Sequence, residues 1–269
     1  MEFGICLHSV IPVRFEPSHK SEMVTQVLFG ELYRVVEKAT LWIRIQLLFD
    51  NYEGWIHILQ TDFIDESEFL RLAGTETAMA VDLVQLMLNE TKNTMIPVVL
   101  GSSLPGLAAQ RMQISGDVYL YEGSIADSSQ SETTADSRKI LKIRQSIIEN
   151  AMLYFHAPYL WGGRTPFGID CSGFVQMIYK LEHIKLLRDA SQQATQGEVI
   201  SLLAEAEPGD LAFFDDEEGN INHTGIISTH HRIIHCSGKV RIDALDHEGI
   251  YNEELQKYSH KLRLIKRVL

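Results

Sequence analysis

Hydrophobic periodicity changes once along the chain, at Arg138, and that change limits the folds open to it. Before Arg138, apolar residues alternate over short runs. In "LWIRIQLLFD", Ile43, Ile45 and Leu47 fall on one face and Trp42, Arg44 and Gln46 on the other, the pattern of a half-buried strand. "VTQVLFGELYRVVEKA" is broken by a glycine-marked turn at Gly30, "DNYEG" reads as a turn and "WIHIL" as a further strand. Several short strands with turns between them predict a small β-barrel over residues 1–65. "AVDLVQLMLN", "TMIPVVLG" and "GDVYLYEG" predict three strands of a second small β-domain over residues 66–136, with "GSSLPGLA" as a loop. The polar run "EGSIADSSQSETTADS" reads as a long hairpin loop or a linker that ends this domain.

From Arg138 the period becomes helical. Ile140, Ile143, Ile147, Ala151 and Phe155 recur every three to four residues, and the helix ends before Pro158. A glycine-rich loop, "YLWGGRTPFGID", leads to a second helical pattern through Phe174, Val175, Ile178 and Leu181. After Pro208 the pattern is strand-like again, in "DLAFFD", "HTGIIST", "RIIHCS", "KVRIDAL" and "HKLRLIKRV". Residues 137–269 therefore predict an α+β domain, helices first and an antiparallel sheet after.

Composition narrows the function. The formal charge of −12 argues against nucleic acid, an anionic membrane surface or a polyanionic polymer as partner. A cationic or free-amine substrate fits better. The first residues, "MEFGICLHSVIPVRFEP", do not read as a signal peptide, and no apolar stretch approaches the length of a membrane span. The three cysteines, Cys6, Cys171 and Cys236, are odd in number and far apart, so no disulfide framework is expected. Together these features lead to an expectation of a reducing compartment, the cytoplasm.

Chemistry concentrates at "GIDCSGFVQ". Cys171 sits between Asp170 and Ser172, before Gly173, at the start of the second helical pattern. Those are poor neighbours for a cysteine packed as a small hydrophobe. A helix N-terminus favours an anion, and beside an imidazolium a thiol pKa can fall to roughly 3.5–7.5, so a thiolate is expected here. The Cys171 N–H at this turn would also help hold an oxyanion. A nucleophilic cysteine needs a base. "NINHTGIIS" and "RIIHCSG" place His223 and His235 on consecutive strands joined by a short turn, which sets the two imidazoles side by side. Zinc held by Cys171, His223 and His235 is the rival use, but no C-x-x-C, H-E-x-x-H or H-x-E pattern supports it. Cys236 and Cys6 read as packing residues. His8, His19, His57, His230, His231, His247 and His260 read as surface or satisfied core histidines.

These motifs, "YLWGGRTPFGIDCSGFVQ", then "NHTGI", then "IIHCSG", resemble the NlpC/p60 family of papain-like bacterial cysteine peptidases over roughly residues 140–269. The resemblance implies a papain-like α+β domain preceded by two small SH3-like β-barrels. It implies Cys171 as nucleophile, His223 as general base and His235 as the orienting residue, with no metal or organic cofactor. It implies that Tyr159 and Trp161 line the substrate site, and that Asp170 and Ser172 contact substrate beside the nucleophile. "RDASQQ", Arg188 to Gln193, is similar to a segment of the family's murein-peptide recycling branch. That branch cuts the γ-D-glutamyl bond to the diamino acid in stem peptides with a free N-terminal L-alanine. In it, Asp189 would bind the substrate ammonium, and Glu31 and Tyr52 of the first β-domain would complete the amine end of the pocket. Rival readings are an extracytoplasmic hydrolase of intact wall stems, a wall-peptide-binding module with an inert peptidase domain, and an acyltransferase on the same scaffold.

Overall fold

Alternation of buried and exposed residues builds the first sheet. The computed structural model describes residues 2–126, 137–229 and 231–269. The chain divides into two compact units, Met1–Ser128 with Trp161–Thr165 and Ser129–Leu160 with Pro166–Leu269. The expected linker run falls largely on residues 127–136, outside the described residues.

In the first unit, β1 (Glu2–Ile5), β2 (Val10–Arg14), β3 (Met23–Leu28), β4 (Leu32–Lys38), β5 (Trp42–Leu47), β6 (Glu53–His57) and β7 (Asp62–Ile64) pair in the order β3-β2-β6-β5-β4-β1-β7. Ile43, Ile45 and Leu47 are buried, as the alternation predicts. The two strands flanking Gly30 do not pair with each other; β3 pairs with β2, and β4 with β5 and β1. Gly30 has φ of +78°, and a Cβ there would lie 1.9 Å from the Ser103 carbonyl oxygen, so no other residue fits the turn. Cys6 packs in this barrel's core with Ile11, Val27 and Ile56.

Residues 66–73 form a helix that the sequence reading did not anticipate, α1 (Glu66–Ala73). Asp65 caps it by accepting a hydrogen bond from Glu68 N at 2.8 Å, and Phe69 and Leu72 are its buried face. There follow β8 (Thr77–Met79), β9 (Val84–Asn89), β10 (Thr94–Val99), β11 (Ser103–Pro105), β12 (Arg111–Ile114) and β13 (Asp117–Leu120). β10, β9, β13 and β12 form one sheet; β11, inside the segment expected to be a loop, pairs with β8. Phe3, Ile5, Phe29, Phe69, Leu104, Met112 and Tyr119 belong to one core cluster. The two β-rich segments, expected as separate small domains, thus share a core within one unit.

The same unit contains β14 (Arg164–Thr165), whose Arg164 is fully buried. Its guanidinium donates to Glu31 Oε2 and Oε1 at 2.8 and 2.9 Å and to the Gln26 carbonyl at 2.7 Å.

The second unit holds α2 (Ser137–Leu153), β15 (Gly168–Ile169), α3 (Cys171–Leu181), α4 (Ala190–Gln193), β16 (Glu198–Ile200), β17 (Leu211–Asp215), β18 (Ile221–Thr229), β19 (Arg232–Ser237), β20 (Lys239–Leu245), β21 (Gly249–Asn252) and β22 (Lys257–Arg267). Its sheet runs β16-β22-β17-β18-β19-β20-β21, and β21 also pairs with β22, closing the sheet on itself. Ile143, Ile147 and Ala151 of α2 are buried, in line with the predicted helical face. Every residue of α3 is buried. Burial of Phe174, Val175 and Ile178 is worth about 1.5–3 kcal/mol each and holds α3 against β18 and β19. No helix of the described residues is long and apolar enough to cross a membrane.

Candidate active site

Cys171 opens α3, and the turn that presents it is fixed by charge. Asp170 is the N-cap, accepting from Gly173 N at 2.6 Å. The buried Arg188 guanidinium holds both Asp170 oxygens, at 3.0 Å to Oδ1 and 2.6 Å to Oδ2, and donates to Ser172 Oγ at 2.9 Å. Gln193 Nε2 donates to the Ser172 carbonyl at 3.0 Å and to the Leu187 carbonyl at 2.9 Å. "RDASQQ" is therefore anchored near both its ends to the first turn of α3. Half-buried Asp189 lies between the anchors as N-cap of α4, its own N–H donating to Gln192 Oε1 at 3.1 Å.

The two predicted histidines come together. His223 on β18 and His235 on β19 face each other, with His223 Nε2 and His235 Nδ1 2.8 Å apart. Gly225 makes room: it pairs with His235, and a Cβ there would lie 2.8 Å from the His235 Cβ. Behind them stands Asp243 on β20, with Oδ2 3.0 Å from His235 Nε2 and 2.7 Å from Arg241 Nε. Burial alone would raise the Asp243 carboxyl, but hydrogen bonds from His235 and Arg241 outweigh it and hold it below its usual range.

That carboxylate sets the tautomers of the whole chain. An ionised carboxylate only accepts, so His235 Nε2 carries the proton and Nδ1 does not. His235 Nδ1 must then accept from His223 Nε2–H. The nitrogen left on His223 is an unprotonated Nδ1, while the Cys171 thiol is directed at the Asn222 carbonyl at 4.0 Å. Tyr159, Cys171 and His223 line one cavity of about 450 Å³ with Asn222, Cys236, Ser237, Gly238, Ser259 and His260.

Burial works against the expected thiolate. Burial pushes the Cys171 thiol up to about 12, and the negative charge of Asp170 adds to the rise. Burial holds His223 well below its usual value, with His235 and His260 adding to the fall. Both shifts favour the neutral forms, a thiol and an imidazole, the pair from which a general-base role for His223 would start. Tyr159 is pushed upward by burial and by the nearby Cys171 and Asp170, so it stays a neutral hydroxyl donor.

The other expected residues are placed as follows. Asp170 and Ser172 are bound into the Arg188 network. Trp161 lies in the first unit, exposed, with Nε1 donating to Glu22 Oε1 at 2.5 Å. Glu31, in the same unit, is 4% exposed and has both oxygens on Arg164. Tyr52 is half-buried against the barrel core. Cys236 is buried, its thiol donating to the Ile169 carbonyl at 3.2 Å.

Two residues escaped the sequence reading: Asp243, and His260 on β22, which was expected to be a surface or satisfied core residue. His260 stacks on His223 with ring centroids 3.9 Å apart and planes at 21°. Burial lowers its pKa to about 4, and His235 adds to the fall. In the unfolded chain these imidazoles take up a proton near pH 6.5; in the folded chain they stay neutral. The unfolded state then binds more protons below pH 6.5, and stability falls as pH drops. For His260 the loss between pH 6.5 and 4 is about 2–3 kcal/mol. Urea denaturation from pH 7 to 4.5 is expected to show a shallower pH dependence for His260→Gln than for the unaltered chain; equal slopes would contradict it.

Comparison with known proteins agrees with this geometry. The NlpC/P60 family model matches residues 156–259, and the bacterial dipeptidyl-peptidase SH3 domain matches residues 13–59. The chain is 27% identical over 269 residues to the "Gamma-D-glutamyl-L-lysine dipeptidyl-peptidase" of Bacillus subtilis, covering 94% of this chain and 81% of that protein. It is 23% identical over 266 residues to "Dipeptidyl-peptidase 6" of Lysinibacillus sphaericus, covering 89% and 91%. The crystal structure of an NlpC/P60 family protein from Bacillus cereus ATCC 10987 covers 100% of both chains with a TM-score of 0.81 at 19% identity, which establishes the fold. Residues 156–259 belong to the NlpC/P60 family, and the protein is a cysteine peptidase with an SH3-like domain before its catalytic domain.

Proposed function

We propose that this peptidase hydrolyses the γ-D-glutamyl–diamino-acid bond of murein stem peptides with a free N-terminal L-alanine, releasing L-Ala-γ-D-Glu, in cytoplasmic recycling of wall peptides. The observation that carries the reading is the polarised chain from Asp243 through His235 to His223, beside the cavity that holds Cys171. The name of one relative supports the γ-D-glutamyl bond and L-lysine as the diamino acid, and the names of both support a dipeptide product.

Cys171 Sγ attacks the γ-carbonyl and gives its proton to His223 Nδ1. The new imidazolium is stabilised through His235 by the Asp243 carboxylate. The Cys171 N–H at the start of α3 and the Tyr159 hydroxyl are donors for the oxyanion. His223 then protonates the leaving amine, and water releases the dipeptide from the thioester.

Asp189 is the amine reader in this proposal. Its support is the double anchoring of its segment to the turn that carries Cys171. Asp189→Asn is expected to lose about 10²-fold or more in kcat/KM on L-Ala-γ-D-Glu-L-Lys, since a carboxylate that pairs with a substrate charge discriminates strongly. The unaltered enzyme is expected to cleave that peptide and to spare its N-acetylated form. Equal cleavage of both forms would remove the amine requirement and favour the hydrolase of intact, glycan-linked stems.

A further inference from the structure

We infer that the acidic cavity adjoining the active site is the subsite for the side-chain ammonium of the leaving diamino acid, with Asp215 as the carboxylate that holds it. The inference rests on the proposed cleavage of the γ-D-glutamyl–diamino-acid bond. The cavity measures about 760 Å³, larger than the one that holds Cys171. Asn222, Ser259 and His260 line both, so the two adjoin. His260 stacks on His223, the ring that protonates the leaving amine, so this cavity lies on the leaving-group side of the scissile bond.

Its walls are acidic. Asp215, Asp216, Glu217 and Glu248 line it, and Lys261 is the only lysine or arginine among its described residues. Asp216 is committed to its own turn, Oδ1 accepting from Glu218 N at 3.0 Å and from Asn220 N at 2.9 Å. Glu217 and Glu248 are exposed. Asp215 differs from all three. Its side chain is 6% exposed, and Oδ1 is buried without a hydrogen-bond partner. Oδ2 stands 3.6 Å from Nε of the exposed Arg263, beyond hydrogen-bonding distance. A carboxylate so placed has acceptor capacity to spare, and burial makes it costly to leave unused.

A bulge places this carboxylate. Phe214 pairs with His223, and their ring centroids are 5.7 Å apart. The register between β17 and β18 shifts just after it, between Phe214 and Asp215. Such a shift bends the strand and re-aims the next side chain. Asp215 thus lines the cavity one residue past the ring that touches the general base. A lysine ammonium is a compact charge on a flexible four-carbon stem, suited to reach from the scissile amine to a carboxylate set back in a cavity. An apolar side chain of the same length leaves Oδ1 unpaired and gains nothing from the carboxylates around it.

The test compares L-Ala-γ-D-Glu-L-Lys with L-Ala-γ-D-Glu-L-norleucine, which keeps the stem and the free L-alanine amine and lacks only the side-chain amine. The unaltered chain is expected to show a kcat/KM about 10–100-fold higher on the lysine peptide. Asp215→Asn is expected to remove most of that preference, with circular dichroism confirming the fold. Equal kcat/KM of the unaltered chain on both peptides would overturn the inference and leave cleavage of the γ-D-glutamyl bond standing. An undiminished lysine preference in the folded Asp215→Asn variant would also overturn it, since another group would then hold the ammonium. Cleavage of neither peptide would overturn the proposed function, and the inference with it.

Discussion

Asp243→Asn is expected to lower kcat on the order of 10²–10³-fold with little change in KM. Asp243 lies behind two imidazoles, yet it alone gives the chain its direction. A pair of histidines sharing one hydrogen bond has no intrinsic polarity, because each ring donates from one nitrogen and accepts at the other. The ionised carboxylate at 3.0 Å removes that ambiguity, since it only accepts. An amide at the same place turns its NH₂ toward His235 and reverses the tautomers, so His223 presents N–H to the thiol. The carboxylate also offsets the positive charge that forms on His223 during attack. Substrate contacts are untouched, so KM is expected to hold. The check is steady-state kinetics of the folded variant on the stem tripeptide; an unchanged kcat would mean that the pair is polarised from elsewhere.

Glu31→Gln is expected to destabilise the first unit by about 3–5 kcal/mol, because it leaves the buried Arg164 guanidinium without its charge partner. Both guanidinium nitrogens that face Glu31 lose a charge-assisted bond, and Leu28 N, which donates to Glu31 Oε2 at 2.9 Å, loses a carboxylate acceptor. Urea denaturation followed by tryptophan fluorescence checks it. The result also separates two roles for Glu31. A loss of stability fits the internal ion pair, whereas a raised KM on free-amine peptide with full stability fits the amine-binding role that the family resemblance implies.

How much of this was legible depends on how far each contact reaches along the chain. Cys171, His223 and His235 could be read from motif and strand period, because β18 and β19 are consecutive and antiparallel. Asp243 was within reach of the same reasoning: a hairpin centred on Gly238 pairs His235 with Arg241 and Ile233 with Asp243, all on one face. His260 was not, since alternation along β22 gives a face but not the place of this last strand beside β17, one strand away from His223. The Glu31 ion pair joins residues 133 positions apart, and no local pattern announces it. The thiolate expectation weighed the helix N-terminus and omitted burial, which here is the larger effect. α1 was missed because eight residues present barely two turns of apolar face.

The most direct test of the account is mass-spectrometric analysis of L-Ala-γ-D-Glu-L-Lys after incubation with the unaltered chain and with Cys171→Ala. L-Ala-γ-D-Glu and free lysine are expected from the unaltered chain, and a rate lower by at least about 10³-fold from the variant. Cleavage that survives in Cys171→Ala, or products from any bond other than γ-D-glutamyl–lysine, would contradict it.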